Sequence, residues 1–305
     1  MLYIKEITLC DYLTDFQLKL PALGMYSVNS ALKNEGAVLG AYNDETWDKK
    51  LVGVVTMVLS KRSILNYIFV DEAFRRKGIG TKLVKAALSY AQGKNMNMLE
   101  ASMVMQNDYG EVIDHILKKA GFEAYTTATI VRYANDEKCK SSWAEFKNKR
   151  GSRICEGLSK RGFKTISFAE ASDSVFKKLK AAMANDFPTN LDPFHFIPHK
   201  DHKVVNEYSF ITLKDDIPAA FVTVTTLDGK TLVFQQLSVA FKHQGNGSFL
   251  LPFAAFMEKF LKGNAYNKAS ALIYDNNDKM KKLVDSFIGE MAESIKMQNV
   301  YKHTL

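Results

Sequence analysis

A run of cations and glycines, Arg75-Arg76-Lys77-Gly78-Ile79-Gly80, lies between an apolar segment that ends at Val70 and a helical pattern. A helix N-terminus presents unpaired backbone N–H groups and the positive end of the helix dipole, and both favour a phosphate. Glycine at 78 and 80 lets an anion approach the backbone without a Cβ in the way. The run predicts a phosphate-binding turn, and a plain strand–helix turn is the alternative that these residues leave open.

The elements that must position this turn begin as strands and later alternate with helices, which indicates a mixed α/β domain. The clearest helix covers residues 81–91, because its apolar residues share one face while lysines and a serine occupy the other. That apolar face consists of Leu83, Val84, Ala87, Leu88 and Ala91. In the first half the sequence predicts strands at 2–8, 36–42, 51–60, 63–70, 98–104 and 122–133, and helices at 11–20, 78–92 and 110–120.

The spacing from Val70 to Arg75, Gly78 and Gly80 resembles the acetyl-CoA signature Q/R-x-x-G-x-G/A of the GNAT superfamily of N-acyltransferases. The order of elements up to Gly121-Phe122 is also similar to that family, and the resemblance covers residues 2–133. It implies that backbone amides of the turn bind the pyrophosphate of acetyl-CoA while the preceding strand pairs with the pantetheine arm. The cofactor-binding residues that it implies are Ile68, Phe69, Val70, Arg75, Arg76, Lys77, Gly78, Ile79, Gly80 and Thr81.

The resemblance also concerns catalysis. Glu100, on the strand after the first signature helix, resembles a position where some members place a general-base glutamate. An ion-paired or solvated strand glutamate is the alternative. Many members carry a general-acid tyrosine four residues before the Gly-Phe pair, where this chain has Leu117. Protonation of the departing thiolate is therefore left to water or to Tyr109.

The second half repeats the order of these signals. An apolar segment that ends at Val239 leads into Gly245-Asn246-Gly247 and a further helical pattern. Equating Gly245 with Gly78 makes the second turn two residues shorter and places Lys242 at the position of Arg75. The sequence therefore predicts two tandem GNAT-like domains, the second degenerate and without an intact cofactor site. Its predicted strands are at 164–169, 208–213, 219–227, 232–239, 269–274 and 295–301, and its helices at 174–185, 248–261 and 278–287.

These patterns divide the chain into three segments. We expect a catalytic acetyl-CoA-binding domain over residues 1–134, a helical linker over 135–161 and the second domain over 162–305, both domains being α/β with a mixed sheet. The middle segment is interpreted as a linker because it is polar and basic, with Trp143 and Phe146 as its main apolar anchors.

A cluster of possible metal ligands lies near residue 200. Pro193 and Pro198 interrupt it, so two ligands cannot align one helical turn apart. The segment is interpreted as a surface or substrate-facing loop, and no metal is predicted. The side chains concerned are Asp192, His195, His199, Asp201 and His202.

Composition restricts the cellular setting and the partners. The 305 residues carry a formal net charge of +8 that is spread over both halves, which argues against a nucleic-acid-binding arm. No uncharged apolar stretch approaches the ~18 residues of a membrane span. The three cysteines are far apart and without CxxC spacing, which fits a reducing compartment. We expect a cytoplasmic protein that binds neither nucleic acid nor membrane.

The predicted activity is transfer of an acetyl group from acetyl-CoA, acting as acyl-donor cosubstrate, to a primary amine of a small molecule or peptide. The first domain would be catalytic, and the second structural or substrate-forming. The alternative is a non-catalytic acyl-CoA-binding sensor, which binds CoA without releasing thiol in the presence of an amine. The acceptor and the oligomeric state are not predicted, because acceptor loops vary freely on a constant scaffold.

Overall fold

The computed structural model of the chain describes residues 1–15, 18–33, 36–43, 50–59, 63–104, 109–188, 193, 204–226 and 229–305. These residues form two compact units. The first unit contains the described residues of 1–128 together with 297–305, and the second contains those between 129 and 296.

The first unit is a mixed sheet covered by helices. Its strand order is β1-β2-β3-β4-β5-β12, in which β4 and β5 are parallel and the other neighbours are antiparallel. The strands are β1 (Leu2–Glu6), β2 (Gly36–Asn43), β3 (Lys50–Val58), β4 (Ser63–Val70), β5 (Met98–Val104) and most of β12 (Ser294–Thr304), and β6 (Glu123–Ala134) begins in this unit. The helices are α1 (Leu9–Asp15), α2 (Ala22–Lys33), α3 (Ile79–Gly93) and α4 (Gly110–Lys119).

Each face of this sheet has its own hydrophobic core. Helices α3 and α4 pack on one face, which we call the α3–α4 face, and the predicted apolar side of α3 is buried there. Helix α2 packs on the opposite face, the α2 face, through Val28 and Ala31. The burial of Leu83 and Val84, both 0% exposed, confirms the helical period that the sequence indicated.

The last strand of the chain belongs to the first unit. We expected a strand near residues 295–301 to complete the second half, and β12 instead pairs with β5 from Gln298↔Val104 to Thr304↔Met98. Residue alternation predicts that a segment is a strand, but it carries no information about which distant strand is its neighbour.

The second unit has a similar mixed sheet, in the order β6-β11-β10-β9-β8-β7. Strands β10 and β11 are parallel, whereas β7 to β10 are antiparallel. Its further strands are β7 (Phe163–Ser167), β8 (Phe210–Lys214), β9 (Ile217–Thr226), β10 (Thr231–Val239) and β11 (Lys268–Tyr274). Its helices are α5 (Glu137–Phe146), α6 (Ser152–Lys160), α7 (Asp173–Met183), α8 (Leu250–Lys262) and α9 (Asp278–Leu283).

The segment expected to be a linker is helical but is part of the second unit's core. Asp136 caps α5 by accepting a hydrogen bond from the Cys139 amide at 2.8 Å. Cys139, Trp143 and Phe146 are buried against α8. The Trp143 indole N–H donates to Glu258 Oε1 at 3.1 Å, which ties α5 to α8. Its polar composition reflects the one solvent-facing side of an amphipathic helix rather than a linker.

No helix among the described residues is long and apolar enough to cross a membrane.

Candidate active site

The parallel strands β4 and β5 separate soon after they begin to pair. Their register covers only three pairs and ends at Leu65↔Ala101, whereas β4 continues to Val70. Asn66 is an extra residue in β4 relative to β3, because Tyr67 faces Thr56 and Leu65 faces Met57. Such a bulge bends a strand and re-aims its side chains. It begins the separation of β4 from β5.

Beyond Leu65, no strand among the described residues pairs with the β5-facing edge of β4. The Asp71 amide donates to the Val52 carbonyl of β3 at 2.8 Å. Because the N–H and C=O groups of successive residues point to alternate edges, Ile68 and Val70 direct theirs away from β3, toward the gap. An extended ligand can pair with these groups as an added strand.

The turn between β4 and α3 has a fixed backbone shape. Asp71 accepts a hydrogen bond from the Ala73 amide at 3.0 Å and so caps a short 3-10 turn over residues 72–74. Arg76 and Gly78 then adopt φ angles of 61° and 75°, in the left-handed region. Glycine occupies that region without cost, but an arginine there is unusual. Helix α3 begins directly afterwards, at Ile79.

The start of α3 carries a run of backbone amides that the turn itself does not use. Lys82 is the first residue of this region that bonds back, to the Gly78 carbonyl at 3.1 Å. Within the described part of the chain, nothing accepts a hydrogen bond from the amides of residues 77–81. A Cβ added to Gly78 would have no atom within 4 Å, so the approach to these amides is open. The arrangement suits an anion.

Arg75 points back toward the end of β4. Its Nε donates to the Val70 carbonyl at 3.1 Å, and its guanidinium lies over the rings of Phe69 and Tyr109, 5.9 and 5.1 Å from their centroids. Through these contacts Arg75 stabilises the conformation of the turn. The exposed side chains of Arg76 and Lys77 are the cations available beside the amides.

Gly80 serves a different purpose from the one that we expected. A Cβ at this position would meet Ile116 Cδ1 of α4 at 2.9 Å, with Ile68 Cδ1 at 3.8 Å. Its missing side chain therefore allows α3 to approach α4 and the sheet closely.

Glu100 lies at the base of the gap. It faces Ile64 across the short β4–β5 pairing and Lys302 across the β5–β12 pairing. Its neighbours Leu99 and Ala101 belong to the core of the α3–α4 face, so Glu100 projects to the α2 face. It is only 6% exposed. The structure thus places the predicted base beside the last pair before the strands separate.

A tyrosine that the sequence did not single out lies on the α3–α4 face. Tyr301 of β12 is fully buried, and burial raises its pKa to about 12. Its hydroxyl donates to Asp114 of α4, and the hydrogen bonds from Tyr301 and Lys118 lower the pKa of Asp114. Leu117, one turn further along α4, is buried in the apolar core. Only the pairing of β12 with β5 brings Tyr301 here.

The corresponding turn of the second unit corrects our alignment of the two halves. Val239, Gln244 and Gly247 follow Val70, Arg75 and Gly78 by the same 169 positions (239 − 70, 244 − 75 and 247 − 78). Each turn begins with a short 3-10 turn. Gln244 donates to the Val239 carbonyl at 3.3 Å, as Arg75 does to Val70. The second turn is therefore not shorter, and Lys242 is not the counterpart of Arg75.

Positive φ angles explain the error. Gly245 and Gly247, at 81° and 84°, take the conformations of Arg76 and Gly78. The first turn has an arginine and a glycine at these two positions, whereas the second turn has two glycines. Aligning the first glycine of each turn, Gly78 with Gly245, therefore gives the wrong register between the two halves.

In the second unit the two corresponding parallel strands also separate, but backbone amides of the turn are hydrogen-bonded within it. Strands β10 and β11 pair only as far as Phe234↔Ala271, and β10 continues to Val239. Phe249 stands where the first unit has Gly80, and α8 begins only at Leu250. The Ser248 amide donates to Asn246 Oδ1 at 2.9 Å, and the Leu250 amide to the Gly247 carbonyl at 3.0 Å. These two amides are thus satisfied within the turn.

The histidine-containing segment predicted to be a loop, with Asp192, His195, His199, Asp201 and His202, lies outside the described residues. Among the residues that are described, no group of three or more His, Cys, Asp or Glu side chains is arranged to hold a metal ion.

Comparison with known proteins gives a family match over the segment that contains the first of these turns. Residues 3–110 match the family model of the acetyltransferase (GNAT) family, which covers the gap, the turn and Glu100. No curated protein matches the chain in sequence.

Solved structures extend the likeness of fold to the full chain. A tandem GNAT protein from the clavulanic acid biosynthesis pathway has a TM-score of 0.64 and 12% identity, with 100% of this chain and 98% of that chain covered. A glucosamine N-acetyltransferase region of a fungal multi-domain β-N-acetylglucosaminidase has a TM-score of 0.67 and 14% identity, covering 99% of this chain and 38% of that chain. A GCN5-related N-acetyltransferase from Sphaerobacter thermophilus has a TM-score of 0.56 and 8% identity, with 88% of this chain and 80% of that chain covered. The whole chain therefore has the fold of tandem GNAT proteins.

Proposed function

Residues 3–110 belong to the GNAT acetyltransferase family, and from this premise we propose that the protein transfers an acetyl group from acetyl-CoA to a primary amine. The observation that carries the proposal is the coincidence of two features in the first unit. The edge of β4 beyond its last pair with β5 ends directly at the turn, and among the described residues the amides from Lys77 to Thr81 have no hydrogen-bond acceptor. One ligand with an extended amide-containing arm and a diphosphate fits both features.

The binding roles follow from these features. Ile68 offers its backbone N–H and carbonyl to the pantetheine arm, and Val70 offers its N–H, because the Val70 carbonyl accepts from Arg75. Phe69 between them packs into the α2-face core. The amides of residues 77–81 hold the pyrophosphate, with added charge from Arg76 and Lys77. Acetyl-CoA, when bound, supplies an activated acetyl thioester. Arg75 supports the site by stabilising the turn. Gly80 supports it by allowing α3 to pack closely against α4.

Glu100 is the proposed general base. It lies where β4 and β5 part and projects to the face opposite α3 and α4. From there its carboxylate takes a proton from the ammonium of the acceptor, directly or through water, which frees the amine to attack. Leu117 has no proton to donate, so we assign protonation of the departing thiolate to solvent. The acceptor is a small molecule or a peptide, and the cytoplasm is the proposed compartment.

A thiol-release assay tests the proposal. The full chain is mixed with acetyl-CoA and a panel of primary amines, and free thiol is followed while CoA binding is measured separately by calorimetry. Acetyl transfer gives amine-dependent thiol release. Tight CoA binding without thiol release by any amine would show an acyl-CoA sensor instead, and absence of CoA binding would contradict both.

A further inference from the structure

Glu100 and Lys302 are direct partners across the β5–β12 pairing. Residues directly opposite in an antiparallel pair project to the same face, with Cβ atoms about 4.5–5.5 Å apart. For this pair that face is the α2 face, because Leu99 and Ala101 occupy the other. The side chains of a glutamate and a lysine therefore leave neighbouring positions on this face, the glutamate on the strand that borders the gap and the lysine on the strand beyond it.

The neighbours of this pair that lie on the same face of β12 and β4 are uncharged. On β12 the neighbours of Lys302 on the same face are Val300 and Thr304, and on β4 the residue facing Glu100 is Ile64. The Lys302 ammonium lies over the ring of Tyr125, 5.4 Å from its centroid. Tyr125 belongs to β6, on the other side of β12 from β5, and Lys302 is half-buried, so its ammonium remains partly open to solvent.

We propose that the acceptor is a primary amine that also carries an anionic group, and that Lys302 binds this anion while Glu100 receives the ammonium proton. The inference rests on the proposed role of Glu100. A molecule with both charges complements both side chains at once, whereas a polycationic amine meets repulsion at Lys302. The anion is a carboxylate or a phosphate, both of which an ammonium binds as a point charge.

Matched acceptor pairs test this specificity. Thiol release at saturating acetyl-CoA is measured with β-alanine against its amide, with phosphoethanolamine against ethanolamine, and with spermidine as a polycation. We expect kcat/KM to be at least tenfold higher for the anionic member of one or both pairs. The pair with the larger ratio identifies carboxylate or phosphate as the preferred anion.

Variants assign the preference to Lys302. Lys302→Met should bring the ratio close to one through a higher KM for the anionic acceptor, with the KM for acetyl-CoA unchanged, and Lys302→Arg should restore most of the preference. Lys119→Met is the matched control, because it removes the same charge from an exposed position on α4, on the α3–α4 face. It should behave like the wild type.

The outcomes separate this inference from the proposed function. Equal use of neutral and anionic amines, a preference for spermidine, or a preference that survives in Lys302→Met would overturn the role of Lys302 while leaving acetyl transfer intact. CoA binding without thiol release from any of these amines would contradict both proposals. Circular dichroism and thermal unfolding of each variant establish that it is folded.

Discussion

The hydroxyl of Tyr301, on the last strand of the chain, donates a hydrogen bond to Asp114 Oδ1 of α4 at a distance of 2.5 Å. The two residues are 187 positions apart in the sequence. Asn299 donates to the same hydroxyl at 3.2 Å, and Lys118 pairs with Asp114 at 2.9 Å. This last strand is thus attached to the first unit by a partly buried polar contact as well as by its pairing with β5. The stability of the unit that carries the proposed active site therefore depends on residues 297–305.

The first prediction concerns this contact. Tyr301→Phe keeps the ring in the core but removes the donor to Asp114, so the free energy of unfolding should fall by about 1–3 kcal/mol. Urea unfolding of the full chain measures the change. In a double-mutant cycle with Asp114→Ala, the two effects should be clearly less than additive. Additive effects would show that the two groups contribute independently.

The second prediction is a pH dependence at the same site. Burial raises the pKa of Tyr301 to about 12 from its ordinary value near 10, so the folded protein retains this proton to higher pH than the unfolded chain. The contribution to stability is fully present below pH 10 and is lost as the pH rises from 10 to 12. Urea midpoints between pH 8 and 11.5 should fall less steeply for Tyr301→Phe than for the wild type. The other tyrosines are present in both the wild type and the variant. Urea midpoints that fall equally steeply with pH in the two proteins would therefore contradict this prediction.

The third prediction concerns the phosphate-binding turn. Gly78→Ala places a Cβ in the open space before the amides, and its folding cost is confined to the left-handed φ of 75°, about 1–2 kcal/mol. CoA affinity measured by calorimetry should fall roughly tenfold, about 1.4 kcal/mol. Gly93→Ala is the matched control, because its Cβ also meets nothing within 4 Å and it lies at the far end of α3. Unchanged CoA affinity in a folded Gly78→Ala protein would remove this turn from the site.

The fourth prediction concerns catalysis. If Glu100 is the general base, Glu100→Gln should lower kcat by roughly 10²–10⁴-fold, the usual contribution of an acid–base group, with little effect on the KM for acetyl-CoA. The glutamine has nearly the same shape, so the packing at this 6%-exposed position is preserved. Steady-state kinetics near pH 7 decide the matter. Full activity of the variant would exclude Glu100 from the mechanism.

Local elements were predictable from sequence because their signals are local. The strands β4 and β5 occur where the alternation and flanking turns placed them, at 63–70 and 98–104. The amphipathic face of α3 is buried as its period indicated. Helix α2, over Ala22–Lys33, was missed, because its sequence interrupts apolar residues with glycine, serine and asparagine and so lacks a clear period.

Long-range relationships could not be derived in this way. The partner of β12 is decided by packing between residues nearly 200 positions apart, and that pairing brings both Tyr301 and Lys302 to the first unit. The register between the two turns was hidden because Arg76 adopts a conformation for which the second turn uses Gly245. Residue types reveal a left-handed φ only where glycine or asparagine occupies it.

The last prediction is that one chain binds one acetyl-CoA, for a reason different from the loop length that the sequence suggested. Both turns have the same length and positive φ angles at the same two positions, so these features do not distinguish them. The two turns differ in whether their backbone amides already have hydrogen-bond acceptors within the turn. In the second unit the Ser248 amide is capped by Asn246, and the Leu250 amide bonds to Gly247.

A diphosphate at the second turn would have to replace these internal bonds, and each donor that stays committed leaves part of the anion unmatched, at a cost of about 1–3 kcal/mol. Two such losses lower affinity by roughly 10²–10³-fold. Native mass spectrometry of the full chain with CoA should therefore show one bound molecule at concentrations that saturate the first unit. Gly78→Ala should weaken that binding event, and the corresponding Gly247→Ala variant should leave it unchanged. Two CoA molecules of equal affinity per chain would show that the second turn opens its amides on binding, and that both units are acyl-CoA sites.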